Sequence, residues 1–199
     1  MTLSEGLEFV ETIEATMENA RSIVGLVHQD AEAGGMTELA ASANPDDDNV
    51  VKVQHYKLHS HPERYSGYMK DGQLVAFIKQ HRWTTDNELP FATGGRKIAL
   101  TIKKTLRLYS ETDQWFVSGL VVSDKLEPYE RNPLLKELLR KSFMDSDNGK
   151  GMVVNIILHD SDPLLDIAPK LGFDWIGKRG VAEGAPGVKQ RLFQRLATN

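Results

Sequence analysis

WFVSGLVVSDKLEPYERNPLLKELLR, residues 115–140, sets the architecture of the chain. Residues 115–122 are almost uniformly apolar, as expected of a central strand covered on both faces. Asn132 is a good helix N-cap and Pro133 a good first helical residue. Leu134, Leu135, Leu138, Leu139 and Phe143 then mark one helix face, with Lys136, Glu137, Arg140 and Lys141 outward. Glycines at 149 and 151 break the helix, and residues 152–158 read as a second buried strand. A strand-helix-strand unit of this length crosses over right-handedly and lays its two strands parallel. Ligands in such sheets bind outside the carboxyl ends of the strands, near a helix N-terminus. That directs attention to the 122–133 connection and to His159.

Outward from this unit, residues 65–69 and 73–83 read as a hairpin closed by Lys70-Asp71-Gly72. Residues 98–108 alternate apolar and polar, the pattern of a strand with one wet face. Residues 50–58 are read as a strand. Upstream, Leu7, Val10, Ile13, Met17, Ala20, Val24 and Val27 recur at steps of three and four, which predicts one long amphipathic helix over 5–29. Thr2 and Glu5 have capping-box spacing. Downstream, Asp162-Pro163 opens a short helix that Pro169 distorts and Gly172 ends. Residues 173–177 and 188–196 close the chain as two strands. The expected class is α/β, with a mixed, mostly antiparallel sheet flanked by helices and preceded by a long N-terminal helix.

Composition narrows the function. The 199 residues include no cysteine, which excludes a disulfide scaffold, a thiolate zinc site and a cysteine nucleophile. Residues 1–48 hold 11 Asp/Glu and one basic residue, Arg21, for a net −10, whereas residues 49–199 carry +6. A basic body suits an anionic ligand such as a nucleotide cofactor, and equally an ordinary solvated surface beside an acidic helix. No aromatic residues interleave with the Lys/Arg of residues 96–107 and the chain is acidic overall, so no nucleic-acid partner is expected. No run approaches a membrane span, and the acidic N-terminus is unlike a signal peptide; a cytoplasmic protein with no membrane partner is expected.

The order of elements resembles the GCN5-related N-acetyltransferase (GNAT) family over roughly residues 64–197. Asp71-Gly72-Gln73-Leu74-Val75-Ala76-Phe77-Ile78 is similar to the family's hairpin. Residues 115–139 resemble its central strand, cofactor loop and helix. Residues 164–177, around Leu171-Gly172-Phe173, resemble the segment leading to its closing strands. The resemblance implies one GNAT-like domain over 1–199, with 1–48 a helical N-terminal segment plus loop and 49–199 the acyltransferase-like core. It implies acetyl-CoA as co-substrate and a small-molecule or protein amine as acceptor, attacked without a covalent enzyme intermediate; a homodimer is compatible with it.

The family's pyrophosphate motif, Q/R-x-x-G-x-G/A, is degenerate here. Registered on Leu138-Leu139, its three marked positions hold Glu130, Pro133 and Leu135. What remains is the helix start itself, Asn132, Leu134 and Leu135, with Arg131 as a replacement cation. By the same resemblance, Val121 and Val122 hold pantetheine through their backbone. The family's thiolate-protonating Tyr falls on Ala168, so Tyr129 and His159 become the candidates for proton transfer; a solvent-facing strand end is the alternative for His159.

His55, His59 and His61, with Glu63, offer metal-ligand chemistry. On a straight strand, His55 and His59 would stand about 13 Å apart, too far to share one ion, and no metal is expected. There is no G-x-S-x-G elbow, P-loop or dinucleotide glycine fingerprint. A GNAT-like binding domain with an inactive cofactor site is the alternative to the enzyme.

Overall fold

The computed structural model describes residues 6–83, 113–144, 152–160, 162–181 and 189–195. The predicted strand at 98–108, the Thr2/Glu5 capping box and the glycines at 149 and 151 lie outside them. Seven strands, β1 (Leu7–Val10), β2 (Tyr65–Lys70), β3 (Gln73–Trp83), β4 (Asp113–Val122), β5 (Met152–His159), β6 (Asp174–Val181) and β7 (Lys189–Arg195), form a mostly antiparallel sheet in the order β1-β2-β3-β4-β5-β7-β6. The helices are α1 (Met17–Ala33), α2 (Thr37–Ser42), α3 (Asp48–Ser60), α4 (Pro128–Met144) and the short α5 (Leu164–Ile167). The expected class, a mixed sheet flanked by helices, is the one observed. Two compact units are present: Met1–Lys79 with Gly119–Leu138, and Gln80–Ser118 with Leu139–Asn199.

The first unit is built on the β1-β2-β3 meander. The β2–β3 hairpin turns through Asp71 (φ 52°) and Gly72 (φ 77°), two left-handed residues in succession, as a tight right-twisting hairpin requires. β1 pairs antiparallel with β2, Val10 opposite Gly67. The expected helix over 5–29 is therefore split. Residues 7–10 complete the sheet, and α1 begins only after Thr16, whose hydroxyl accepts from the Asn19 N–H at 3.1 Å. Strand pairing supplies residues 7–10 with interstrand ladder bonds that outweigh their helical spacing, and Ile13 reaches the core from the connection.

The expected strand at 50–58 is helix α3. Asp47 caps it, its carboxylate accepting from the Asn49 N–H at 2.9 Å. Val51 and Leu58, two turns apart, are fully buried with Ile23 and Leu26 of α1, Tyr65 and Phe77 of the sheet. β-branched residues favour strands only weakly, and burial of one helical face decides the outcome.

In the second unit, β4 and β5 run parallel from Asp113 opposite Met152 to Val117 opposite Ile156, as the crossover rule predicts. β5 pairs with β7 and β7 with β6, both antiparallel. A buried polar relay joins the strands: Asn155 donates from Nδ2 to the Trp115 carbonyl at 3.1 Å and accepts from Gln194 Nε2 at 3.0 Å. Each group is satisfied, which is the condition for burying an amide at all. Gly172 (φ 82°) ends the turn after α5 in the left-handed conformation that favours glycine.

Candidate functional site

The candidate residues divide between the units. Val121, Val122, Tyr129, Arg131, Asn132, Leu134 and Leu135 belong to the first, and His159 to the second.

β4 ends where the Ser123 N–H donates to the Val75 carbonyl of β3 at 2.8 Å. The chain then turns, and α4 starts at Pro128, five residues before the expected start at Pro133. Asn132 is an exposed residue within the helix and caps nothing. The sequence contains two start signals, and the earlier one prevails because it is better completed. Pro128 occupies the first helical position, and Glu130 Oε2 accepts from the Glu127 N–H at 3.1 Å, the returning half of a capping box. Pro133 consequently sits inside the helix, where it removes the bond to the Tyr129 carbonyl. The signal that would have located this start is Glu-Pro-x-Glu at 127–130.

Glu130 is buried, its side chain only 6% exposed, and its Oε1 accepts from Lys70 Nζ of β2 at 3.1 Å. A carboxylate thus already stands at the positive end of α4, where an anionic ligand would be received. Arg131 donates from Nε to the Leu126 carbonyl and from Nη2 to the Asp124 carbonyl, both at 2.7 Å. Two arms of the guanidinium therefore hold the loop. Leu134 and Leu135 are buried, Val121 lies in the core cluster, and the Tyr129 ring is exposed.

His159 closes β5 with its side chain 11% exposed and its Nε2 3.8 Å from Asp162 Oδ2. Asp162 also accepts from the Leu164 N–H at 2.8 Å, so one carboxylate both closes the turn that leads into α5 and faces the imidazole. Ala168 is fully buried.

The His55/His59/His61 set is dispersed by α3. His55 Nε2 contacts the Ala15 carbonyl at 3.0 Å, His59 is exposed, and His61 faces Glu63 at 3.6 Å. Among the described residues no three His, Asp or Glu side chains gather as metal ligands, and no helix is long and apolar enough to cross a membrane.

Lys79 was not singled out by sequence. It lies opposite Tyr65 across the β2–β3 pair, with Nζ 5.4 Å from the ring centroid. Burial holds its amine below the ordinary value of 10.5, and the Arg64 charge adds to the effect. Because its value is lower folded than unfolded, unfolding takes up a proton in the window below pH 10.5. The charged lysine therefore costs stability at neutral pH, and that cost fades as pH rises to 10.5. Lys79→Met is expected to raise the thermal midpoint at pH 7 by about 2 °C, with the gain shrinking toward pH 10.5. A lower midpoint at pH 7, read by calorimetry, would contradict this.

No family model matches the chain, and no curated protein matches it. Solved structures do. A chain of a NatC complex bound to Gag peptide and CoA aligns with a TM-score of 0.62 at 12% identity, covering 96% of this chain and 99% of that one. The PaiA N-acetyltransferase from Thermoplasma acidophilum, in complex with coenzyme A, aligns at 0.57 and 9% identity over 96% and 98%. A GNAT-family acetyltransferase from Streptococcus agalactiae aligns at 0.53 and 12% identity over 100% of both chains. Near-complete coverage at such low identity is likeness of fold, and the fold of this chain is that of the GNAT acetyltransferases.

Proposed function

We propose that the chain is an acyl-CoA-dependent N-acyltransferase of the cytoplasm, transferring acetyl from acetyl-CoA to a primary amine on a small molecule or a protein. The observation that carries this reading is the likeness of fold over at least 96% of the chain to two proteins solved with CoA. In this reading the backbone of Val121 and Val122 holds the pantetheine arm, and an N–H near Val122 polarises the thioester carbonyl. The start of α4 faces the pyrophosphate with Arg131 and Asn132, while the buried Leu134 and Leu135 hold the helix against the core. Arg131 acts mainly by shaping the loop through the Leu126 and Asp124 carbonyls, with Nη1 left for the phosphate. The neutral amine attacks the acyl carbon, the C–S bond breaks, the nitrogen loses one proton to water as the amide forms, and the thiolate takes a proton from Tyr129 or His159.

A second reading, a GNAT-like binding or regulatory domain without turnover, is favoured by one observation: the Glu130 carboxylate at the α4 start. Calorimetry with acetyl-CoA tests the choice. Saturable binding below about 1 mM is expected for the transferase. No heat at millimolar cofactor would overturn it and leave the second reading.

A further inference from the structure

Three cations from three elements gather around Tyr65 in the first unit, and none of them has a role in acyl transfer as described. Lys79 of β3 stands directly opposite Tyr65, with Nζ 5.4 Å from the ring centroid. Arg64, from the single helical turn that precedes β2, is near enough to act on Lys79 as a like charge. Lys57, in the last turn of α3, acts together with Arg64 on the Tyr65 hydroxyl.

Counter-charge is scarce. Among the described residues no carboxylate pairs with Lys79, and the neighbouring charge it feels is the positive one of Arg64. Glu63 is exposed and divided between two partners, 3.6 Å from His61 Nδ1 and 3.6 Å from Arg64 Nε, both beyond hydrogen-bond length. The face of a tyrosine ring attracts an ammonium, but by less than withdrawal from water costs it. Lys79 is half-buried, which leaves it reachable from solvent yet poorly screened. An ammonium in that setting, backed by a guanidinium and short of an acceptor, is complementary to a carboxylate.

Position indicates which molecule carries that carboxylate. β4 passes Lys79 at Gly119, where an added Cβ would stand 3.6 Å from Lys79 Cβ. Val122 lies three residues further on, about 10 Å along the strand. At about 3.3 Å per residue, an extended peptide with its terminal amine at Val122 would bring its third or fourth side chain beside Lys79.

We propose that Lys79 and Arg64 bind an acidic side chain of the amine acceptor, which is a peptide with a free terminal amine and a glutamate or aspartate at its third or fourth residue. The word acceptor rests on the acyl-transfer reading; the anion site does not.

Calorimetry without cofactor is the test, with Ala-Ala-Glu-Glu-Ala amide as probe and Ala-Ala-Gln-Gln-Ala amide as the uncharged control of equal size. The glutamate peptide should bind saturably and at least about tenfold more tightly than the control, a preference that shrinks as salt is added. Sodium glutarate, two carboxylates without the peptide, should bind at least about tenfold more weakly than the glutamate peptide. Lys79→Met, a variant expected to be the more stable protein at pH 7, should lower affinity for the glutamate peptide about tenfold and leave the control unchanged. Arg64→Gln, outside the core, should lower it about threefold. Equal binding of the two peptides, or a Lys79→Met variant that keeps the preference, would overturn the anion site. Glutarate as tight as the peptide would overturn the peptide as its ligand. If the glutamate peptide binds as expected but acetyl-CoA yields no acetylated peptide by mass spectrometry, the acceptor assignment falls with acyl transfer while the anion site stands.

Discussion

Gly67→Val is expected to destabilise the protein by about 3–5 kcal/mol, enough to leave much of it unfolded at physiological temperature. Gly67 is buried in β2 and paired on both sides, with Val10 of β1 and Phe77 of β3. A Cβ there would overlap the Ala76 carbonyl oxygen and stand 3.0 Å from Leu74 Cδ1 and 3.3 Å from Ile13 Cδ1. The two leucine and isoleucine methyls can rotate away. The carbonyl cannot, because it belongs to the neighbouring strand and moving it breaks the ladder. Valine's preference for strands is worth about 1 kcal/mol at most and is outweighed by this overlap. Urea denaturation should show a lower midpoint with an unchanged slope. A variant within about 1 kcal/mol of the parent would mean that the β2–β3 approach is looser than described.

Glu130→Gln should have opposite effects on stability and on cofactor binding. Glutamine retains the acceptor for the Glu127 N–H, so the helix start survives. The ion pair with Lys70 is lost, at a cost of about 1–2 kcal/mol for a carboxylate this buried. On the acyl-CoA reading, removal of the carboxylate also clears a negative charge from the positive end of α4 and frees Lys70. Acetyl-CoA should then bind about tenfold more tightly, a gain consistent with a charge at a partly buried helix terminus. Calorimetry on parent and variant reads both. Loss of stability without any gain in affinity would separate the structural role of Glu130 from the phosphate position and remove the link between them. The pair also explains how a degenerate motif is tolerated: the orphan N–H of Glu127 is satisfied from within the chain, and no phosphate is needed to complete the fold.

Local signals were sufficient wherever they agree with those of their neighbours. The parallel pair β4 and β5 followed from two apolar runs separated by one helix. The β2–β3 hairpin followed from Asp71-Gly72, whose left-handed backbone needs those residue types. The end of a central strand at Val121 and Val122 was legible for the same reason. Tertiary structure decided the rest. Residues 7–10 carry helical spacing but pair with β2, and residues 50–58 carry strand-like composition but bury Val51 and Leu58 against α1. The start of α4, expected at Pro133, lies at Pro128, because Glu130 meets both the Glu127 N–H and, 60 residues away in sequence, Lys70. In each case local preferences are worth a few tenths of a kcal/mol to about 1 kcal/mol, and the partner that outweighs them is brought alongside only when the chain is folded.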